Sequence, residues 1–270
     1  MAVALVTGAA RPRGIGRAVA LRLAADGHDV ACVDIAGNRP DPAAPAVPGG
    51  PDLDAVVAEI RGLGRRALAV SADISDEDQV EAAVERASTD LGPISLVANV
   101  AGGTSLGFGI APLVEVAAAE FRRVVEVNLV GTWLVSRACA RRMLAAGIAG
   151  RICNTSSQAS KVGFVHMGAY SAAKAGVNLL TQVLAKELGP HGIAVNAVCP
   201  GTVDTEPTRQ IEEHFVGGPD AVRAYIEREI PLQRVQTAEE IAAAVSWLLS
   251  PDAAGLTGEA VNVSAGQTMV

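Results

Sequence analysis

Residues 3–16 carry the sequence VALVTGAARPRGIG, in which a short aliphatic run leads directly into a glycine-rich turn. An amphipathic stretch follows at residues 16–26, so the segment predicts a strand, a tight turn and a helix in succession. Glycines at positions 8, 14 and 16 would let the backbone approach a pyrophosphate at the positive end of that helix. The segment therefore indicates an α/β fold that binds a dinucleotide.

The same alternation of short apolar runs and longer helical patterns continues along the whole chain. Strands are predicted at 3–7, 29–34, 67–71, 94–99, 150–155, 193–198 and 260–263. Helices are predicted at 16–26, 53–63, 76–91, 116–146, 169–188 and 238–249. We therefore expect residues 1–270 to form a single doubly wound Rossmann-type domain, with a seven-stranded parallel sheet and helices on both faces.

The composition argues against several classes of protein. Hydrophobic residues make up 50% of the chain and aromatic residues only 3%, so small aliphatic side chains must fill the core. A net charge of −7 leaves no basic stripe for nucleic acid. No apolar run approaches the ~18 residues of a membrane span, and no basic segment precedes residues 3–6 as a secretory signal requires. The four cysteines lack C-x-x-C spacing, which indicates reduced thiols in a cytoplasmic protein and no metal site.

Two segments interrupt the regular pattern. Residues 36–51 contain five prolines and a Gly-Gly pair, which predicts an irregular surface loop after the second strand. Residues 206–231 contain helix-like portions around another Gly-Gly-Pro sequence and are expected to form a cover over the substrate. Charges of both signs are mixed in this cover, which favours a small uncharged alcohol, polyol or ketone over an acyl thioester.

The end of the second strand bears on the choice of cofactor. Asp34 lies 18 residues after Gly16, where its carboxylate could accept hydrogen bonds from an adenosine ribose. A 2′-phosphate would be repelled there, so NAD is favoured over NADP. The nearby arginines keep NADP open, because a guanidinium pairs well with phosphate; they are Arg11, Arg13, Arg17 and Arg39.

A tyrosine and a lysine form the strongest chemical signal. Tyr170 and Lys174 are four residues apart, so on a helix both side chains lie on one face. A nearby ammonium stabilises a phenolate and lowers its pKa, which suits Tyr170 to proton transfer with an alcohol or ketone. Ser157, thirteen residues upstream, follows a predicted strand and could align the substrate oxygen; Ser156 is the competing candidate.

Together these residues resemble the short-chain dehydrogenase/reductase family, from residue 3 to residue 269. The motifs that carry the resemblance are the glycine turn, Asp73-Ile74, Asn99-Val100-Ala101-Gly102, Asn128, Ser157, Tyr170, Lys174 and the run from Pro200 to Thr205. Their order along the chain is that of the family, and together they are far more specific than any one of them.

The resemblance implies roles for the individual residues. Cofactor contacts would come from Gly8, Gly14, Ile15, Gly16, Asp34, Asp73, Ile74, Asn99, Ala101, Gly102, Tyr170, Lys174, Pro200, Gly201, Val203 and Thr205. The catalytic residues would be Asn128, Ser157, Tyr170 and Lys174, with Asn128 holding a water that passes protons toward Lys174. Substrate would meet Ser157, Gln158 and Tyr170, with Thr104, Phe164 and His166 nearby.

The chain departs from the family pattern in three places. Five residues, 9–13, separate the first two glycines of the turn where the family has three, and the proline-rich segment is longer than usual. Ser160 replaces a glycine that often follows the catalytic serine. Neither of these last two departures is expected to touch the chemistry.

The leading hypothesis is an NAD(H)-dependent oxidoreductase that acts on a secondary alcohol or ketone, with Tyr170 as general acid and base. One alternative is an NADPH-dependent ketoreductase of an acyl thioester or other ketone. Another, of a different class, is a regulatory protein that senses NAD(H) without turnover. The resemblance also implies a homotetramer, or less often a homodimer.

Overall fold

The glycine-rich turn connects an inner strand of a parallel sheet to the first helix in the computed structural model, which describes residues 1–35 and 52–270. Seven strands form the sheet in the order β3-β2-β1-β4-β7-β8-β9. These strands are β1 (Val3–Thr7), β2 (Asp29–Asp34), β3 (Ala67–Ser71), β4 (Ile94–Asn99), β7 (Arg151–Thr155), β8 (Ala194–Pro200) and β9 (Ala260–Val263). Two short strands, β5 (Ser105–Leu106) and β6 (Gly109–Ile110), pair outside it.

Helices alternate with the strands along the chain. The helices of the described residues are α1 (Ile15–Ala25), α2 (Leu53–Gly62), α3 (Glu77–Leu91), α4 (Ala118–Val125), α5 (Gly131–Ala146), α6 (Gly168–Leu188), α7 (Glu206–Phe215), α8 (Pro219–Glu229) and α9 (Ala238–Leu249). Side chains cap several of them: Asp76 caps α3, and Thr237 forms a capping box with Glu240 at α9.

Two apolar layers hold the helices against the sheet. One layer joins the sheet to α3, α5 and α6, and the other joins it to α1, α2 and α9. Small aliphatic side chains dominate both, which agrees with the low aromatic content. The helices therefore cover both faces of the sheet and leave the carboxyl ends of its strands open at one edge, where ligands bind in such folds.

The predicted fold class is confirmed, and all seven predicted strands are present within two residues of their bounds. The single helix predicted at 116–146 is wrong in one detail, because a π-helical turn at Glu126–Val130 separates α4 from α5. Asn128 occupies that turn and donates to the carbonyl of Val124, at 3.0 Å. The expected cover contains α7 and α8, whereas the proline-rich segment 36–51 lies outside the described residues.

Among the residues that the structure describes, no helix combines the length and the apolar character needed to span a bilayer.

Candidate active site

A cavity of about 1630 Å³ lies at the edge where the sheet strands end. Most of the cofactor, catalytic and substrate residues expected from the sequence line it: Gly8, Gly14, Ile15, Gly16, Asp34, Asp73, Ile74, Ala101, Gly102, Ser157, Gln158, Tyr170, Lys174, Pro200, Gly201, Val203 and Thr205. Thr104, Phe164 and His166 also belong to its wall. The topology therefore collects side chains from the whole length of the chain around one space.

The glycine turn shapes one end of this cavity. Gly8 has φ +72°, and a Cβ there would lie 2.8 Å from the Cα of Ala101. A Cβ on Gly16 would lie 2.1 Å from the carbonyl oxygen of Gly8. No side chain caps the start of α1 at Gly14, so the first amide groups of the helix keep their donors for another acceptor. These features fit the diphosphate of a dinucleotide.

Asp34 is fixed at the mouth of the turn. One carboxylate oxygen accepts from the backbone N–H of Ala10 at 2.8 Å, and the other accepts from Ile35 N–H at 2.7 Å. Each oxygen can accept a further hydrogen bond, because an ionised carboxylate has about four acceptor positions. The lengthened turn thus orients the carboxylate expected to meet the ribose.

Of the four arginines that kept NADP open, two are already paired. Arg17 bridges to Glu59, and Arg13 bridges to Asp204 at 3.2 Å, which ties the lengthened turn to the segment before α7. Arg11 lines the cavity and has no carboxylate partner within residues 1–35 and 52–270. Arg39 lies outside the described residues.

The wall next to Ile74 carries a charged pair. Asp73 accepts from the Ser75 hydroxyl at 2.6 Å and from Arg123 at 3.1 Å. Burial by itself would raise the pKa of Asp73, but the hydrogen bonds from Ser75 and Arg123 outweigh it and lower that pKa. The Asp73 side chain is therefore ionised and held in place by Ser75 and Arg123. Buried Ile74 offers an apolar surface to the cavity.

Asn99 is buried and is not among the residues that line this cavity, so its expected cofactor contact stays a prediction. Its amide nitrogen donates to Ser136 at 2.8 Å and to Asn154 at 2.9 Å inside the sheet. The neighbouring loop is held by Thr7, whose hydroxyl accepts the N–H groups of Val100 and Ala101 at 3.0 and 3.1 Å. Thr7 was not singled out from the sequence, although a threonine directly before the first glycine was the available signal.

Asn128 is fully buried and also lies behind the lining. Its side chain accepts from Gly103 N–H at 2.8 Å and donates to the Gly103 carbonyl at 2.9 Å. A Cβ on Gly102 would stand 2.6 Å from Asn128 Oδ1 and 3.5 Å from Lys174 Nζ. The side chain therefore holds the glycine loop next to Lys174, and the water expected at Asn128 stays a prediction.

Ser157, Tyr170 and Lys174 meet in the middle of the cavity. The Ser157 side chain lies close enough to the Tyr170 hydroxyl to lower its pKa, and Lys174 Nζ lies 5.6 Å from the centre of the Tyr170 ring. Lys174 Nζ also donates to the carbonyl of Thr155 at 2.8 Å. Ser156 points elsewhere, because its buried hydroxyl donates to the carbonyl of Lys174 at 3.0 Å.

Burial sets the protonation of this group. It raises the pKa of Tyr170 to about 12, against a lowering contribution from the Ser157 hydrogen bond. Burial likewise lowers the pKa of Lys174 to about 8. The sequence-based expectation that Lys174 lowers the pKa of Tyr170 is thus not met without a cofactor, because loss of solvent outweighs the other effects. The tyrosine is a proton donor in this state.

The turn at residues 158–160, which follows Ser157, is hydrogen-bonded to Thr268 near the end of the chain and to the backbone of Ser157. Gln158 accepts from Thr268 at 3.1 Å, which brings the last residues of the chain to the site. Ser160, expected to lie apart from the chemistry, donates its hydroxyl to the Ser157 carbonyl at 2.6 Å. Ser160 thus contacts the backbone of Ser157, and the expectation that it does not affect the chemistry stays a prediction.

The loop after β8 closes the far side of the cavity. Gly201 N–H donates to the Val263 carbonyl at 3.0 Å, and a Cβ on Gly201 would meet Ser264 at 2.9 Å. Val203 is buried and forms a β-bridge to Gln236.

The cavity is also lined by apolar residues that the sequence analysis did not name. They come from the short strand β6 and from the cover at 206–231, and they are Ile110, Ile211, Val216, Ala221 and Ala224.

Comparison with known proteins identifies the family of this chain. The family model described as Enoyl-(Acyl carrier protein) reductase matches residues 8–268. A short-chain dehydrogenase/reductase of Armillaria gallica is 38% identical over 98% of this chain and 95% of its own length.

Two solved structures share the fold. An actinorhodin polyketide ketoreductase variant with NADPH has a TM-score of 0.87 and 33% identity, over 100% of this chain and 98% of its own. Carveol dehydrogenase from Mycobacterium avium, in complex with NAD, has a TM-score of 0.88 and 31% identity, over 98% of this chain and 97% of its own. The chain therefore belongs to the short-chain dehydrogenase/reductase family and is an oxidoreductase that interconverts alcohols and ketones with a nicotinamide dinucleotide.

Proposed function

We propose that the protein transfers hydride between NAD(H) and an apolar secondary alcohol or ketone, with Tyr170 as its general acid and base. The observation that carries this proposal is that Ser157 and Tyr170 line the same cavity, with Lys174 one helical turn from Tyr170 and its Nζ 5.6 Å from the Tyr170 ring. Two hydroxyl groups that converge on one point suit a single reacting oxygen.

In the reductive direction, Tyr170 gives its proton to the ketone oxygen while Ser157 hydrogen-bonds the same oxygen. The raised pKa of Tyr170 keeps the hydroxyl protonated for this step. In the oxidative direction, Tyr170 takes the alcohol proton, and the ammonium of Lys174 stabilises the resulting phenolate. Bound NAD would supply the hydride acceptor for the alcohol carbon, so that alcohol and NAD would give ketone, NADH and one proton.

We propose NAD as the preferred cofactor because Asp34 is held at the mouth of the glycine turn by Ala10 and Ile35. A carboxylate there hydrogen-bonds a ribose diol and repels a 2′-phosphate. Arg13 and Arg17 are engaged by Asp204 and Glu59, which removes two of the cations that favour NADP.

The thermal shift caused by each dinucleotide tests this choice, since a ligand stabilises the state that binds it. NAD is expected to raise the Tm of the wild type more than NADP does. Asp34→Asn keeps the shape of the side chain and narrows that difference between the two Tm shifts. Asp90→Asn, near the end of α3 in the apolar layer on the other face of the sheet from α1, leaves it unchanged. A larger shift with NADP in the wild type contradicts the proposal.

An NADPH-dependent ketoreductase is the second candidate, and Arg11 favours it. This guanidinium lines the cavity without a carboxylate partner in the described chain, and it could pair with a 2′-phosphate. Arg11→Gln separates the candidates: a ketoreductase loses affinity for NADP, whereas an NAD enzyme keeps its preference.

We infer an uncharged, largely apolar substrate from the outer wall of the cavity. Ile211, Ala221 and Ala224 face it from the cover, and Phe164 faces it from the loop before α6. Arg228 also reaches the wall but is paired with Glu229. Carveol and other alicyclic secondary alcohols are the first substrates to test, beside charged acyl thioesters as the contrasting class.

We also propose a homotetramer in a reducing, cytoplasmic compartment. Leu179 and Val183, 64% and 50% exposed, lie one turn apart on α6, and exposed Trp133 and Leu144 lie on α5; a second copy would cover them. All four cysteines are buried free thiols, which suits a reducing compartment. Light scattering tests the assembly, with Leu179→Glu expected to give smaller species.

A further inference from the structure

Asn178 lies on the same face of α6 as the proposed catalytic pair. Tyr170, Lys174 and Asn178 follow one another at intervals of four residues, so their side chains form one stripe along the helix. The Asn178 amide nitrogen donates to the Ser160 hydroxyl at 2.8 Å, and its oxygen accepts from the thiol of buried Cys199 on β8 at 3.8 Å. The amide thus joins α6 to two neighbouring elements.

Ser160, which accepts a hydrogen bond from Asn178, is itself hydrogen-bonded to Ser157. Its hydroxyl donates to the Ser157 carbonyl at 2.6 Å, and its backbone N–H donates to the same oxygen at 3.0 Å. The Ser157 hydroxyl oxygen also accepts from Ala159 N–H at 3.1 Å. The backbone and the side chain of Ser157 are therefore both fixed by a turn that Asn178 holds through Ser160.

We propose that Asn178 and Ser160 are positioning residues that hold the Ser157 turn against α6 and so set the position of the Ser157 hydroxyl relative to Tyr170. Ser157 follows β7, whereas Tyr170 lies on α6, so the geometry of the pair depends on contacts between turn and helix. The Ser156 hydroxyl supplies one such contact, at the carbonyl of Lys174, and Asn178 supplies another one turn further along the helix. The inference rests on the proposed roles of Ser157 and Tyr170.

The test compares Ser160→Ala, Asn178→Leu and the double variant with the wild type. Each single variant is expected to lower kcat/KM for alcohol oxidation about tenfold, because small displacements of a reacting group are costly. Since the Ser157 hydrogen bond lowers the pKa of Tyr170, weakening it raises the pH at which oxidation reaches half its maximum by about half a unit to one unit. The Kd for NAD stays within about twofold of the wild type.

Three further variants separate positioning from general stability. The kcat/KM of the double variant is expected to fall little below that of the less active single variant, because both residues belong to one chain of hydrogen bonds. Ser160→Thr keeps a hydroxyl and restores the wild-type pH profile. Ser88→Ala removes a comparable half-buried hydroxyl, which donates to Val84 on α3 at 2.8 Å, and leaves the profile unchanged. An Asn178→Leu protein with a lower Tm but unaltered kcat/KM and pH profile would overturn the inference.

Amide hydrogen exchange tests whether Asn178 holds the turn after Ser157, and it needs no substrate. In Asn178→Leu, the amides of Ala159 and Ser160 are expected to exchange about tenfold faster while the amides of β7 do not change. Unchanged exchange in the turn contradicts the inference. If the turn loosens as expected but Ser157→Ala turns over like the wild type, the proposed function fails and the structural connection stands.

Discussion

Replacing Gly16 by alanine tests whether the close approach of the glycine turn is a requirement of the fold and of the cofactor site. The added Cβ would lie 2.1 Å from the carbonyl oxygen of Gly8 and 3.0 Å from that of Thr7. Both are backbone atoms of a buried strand end, so neither can rotate away. The turn must shift relative to α1 to admit the methyl group.

The cost follows from this overlap. Overpacking a well-packed site typically costs about 1–3 kcal/mol, and a contact with rigid backbone lies at the upper end, so we expect a loss of about 3 kcal/mol. For a domain of this size, that loss lowers the Tm by about 5 °C. Because the shift displaces the amides at the start of α1, the Tm increase on adding NAD is expected to disappear as well.

Gly62→Ala is the matched control. Gly62 ends α2, and a Cβ there would meet nothing within 4 Å. This variant should be neutral or gain about 0.5 kcal/mol, since alanine restricts the unfolded chain. Thermal unfolding of all three proteins with and without NAD measures both effects. A Gly16→Ala protein with the wild-type Tm and the wild-type response to NAD would refute the reasoning.

Three other substitutions have defined outcomes. Lys174→Met should abolish turnover yet raise the free energy of unfolding of the cofactor-free protein by about 1 kcal/mol at neutral pH. The pKa of Lys174 is lowered to about 8 from 10.5, so the wild type gains stability as pH rises between these values, and chemical denaturation should show that gain absent in the variant. Glu240→Gln should cost up to about 1 kcal/mol at pH 7, because it removes the charge that pairs with Arg234, whereas the glutamine amide oxygen can still accept from Thr237 in the capping box. Hydrogen bonds from Arg234 and Thr237 lower the pKa of Glu240 to about 2 from 4.5, so acid titration should show a smaller loss of stability in the variant over that range. Ser157→Ala should lower kcat/KM about 10²- to 10³-fold with little change in Tm, and steady-state kinetics beside thermal unfolding measure both.

The strands and most helices were readable from the sequence because buried parallel strands are continuous aliphatic runs between helices of clear period. The π turn at Glu126–Val130 was not readable. It depends on Asn128 bonding to Gly103, a residue 25 positions away, and no local pattern announces such a contact.

The site was predicted in part for a similar reason. Spacing alone placed Tyr170 and Lys174 on one face and selected Ser157 over Ser156. The hydrogen bonds of the Asn99 side chain in the protein interior could not be predicted, because its partners Ser136 and Asn154 come from other elements. The burial that raises the pKa of Tyr170 is likewise a property of the assembled cavity, so the sequence suggested the opposite direction.

The measurement that tests the central claim most directly is the initial rate of NAD reduction by an alicyclic secondary alcohol, for the wild type and for Tyr170→Phe. The substitution removes one hydroxyl from the cavity and leaves the ring. The account predicts turnover with NAD by the wild type, and a loss of at least about 10³-fold in Tyr170→Phe with an unchanged thermal shift on adding NAD. Comparable rates in the two proteins, or turnover by the wild type with NADP alone, would contradict it.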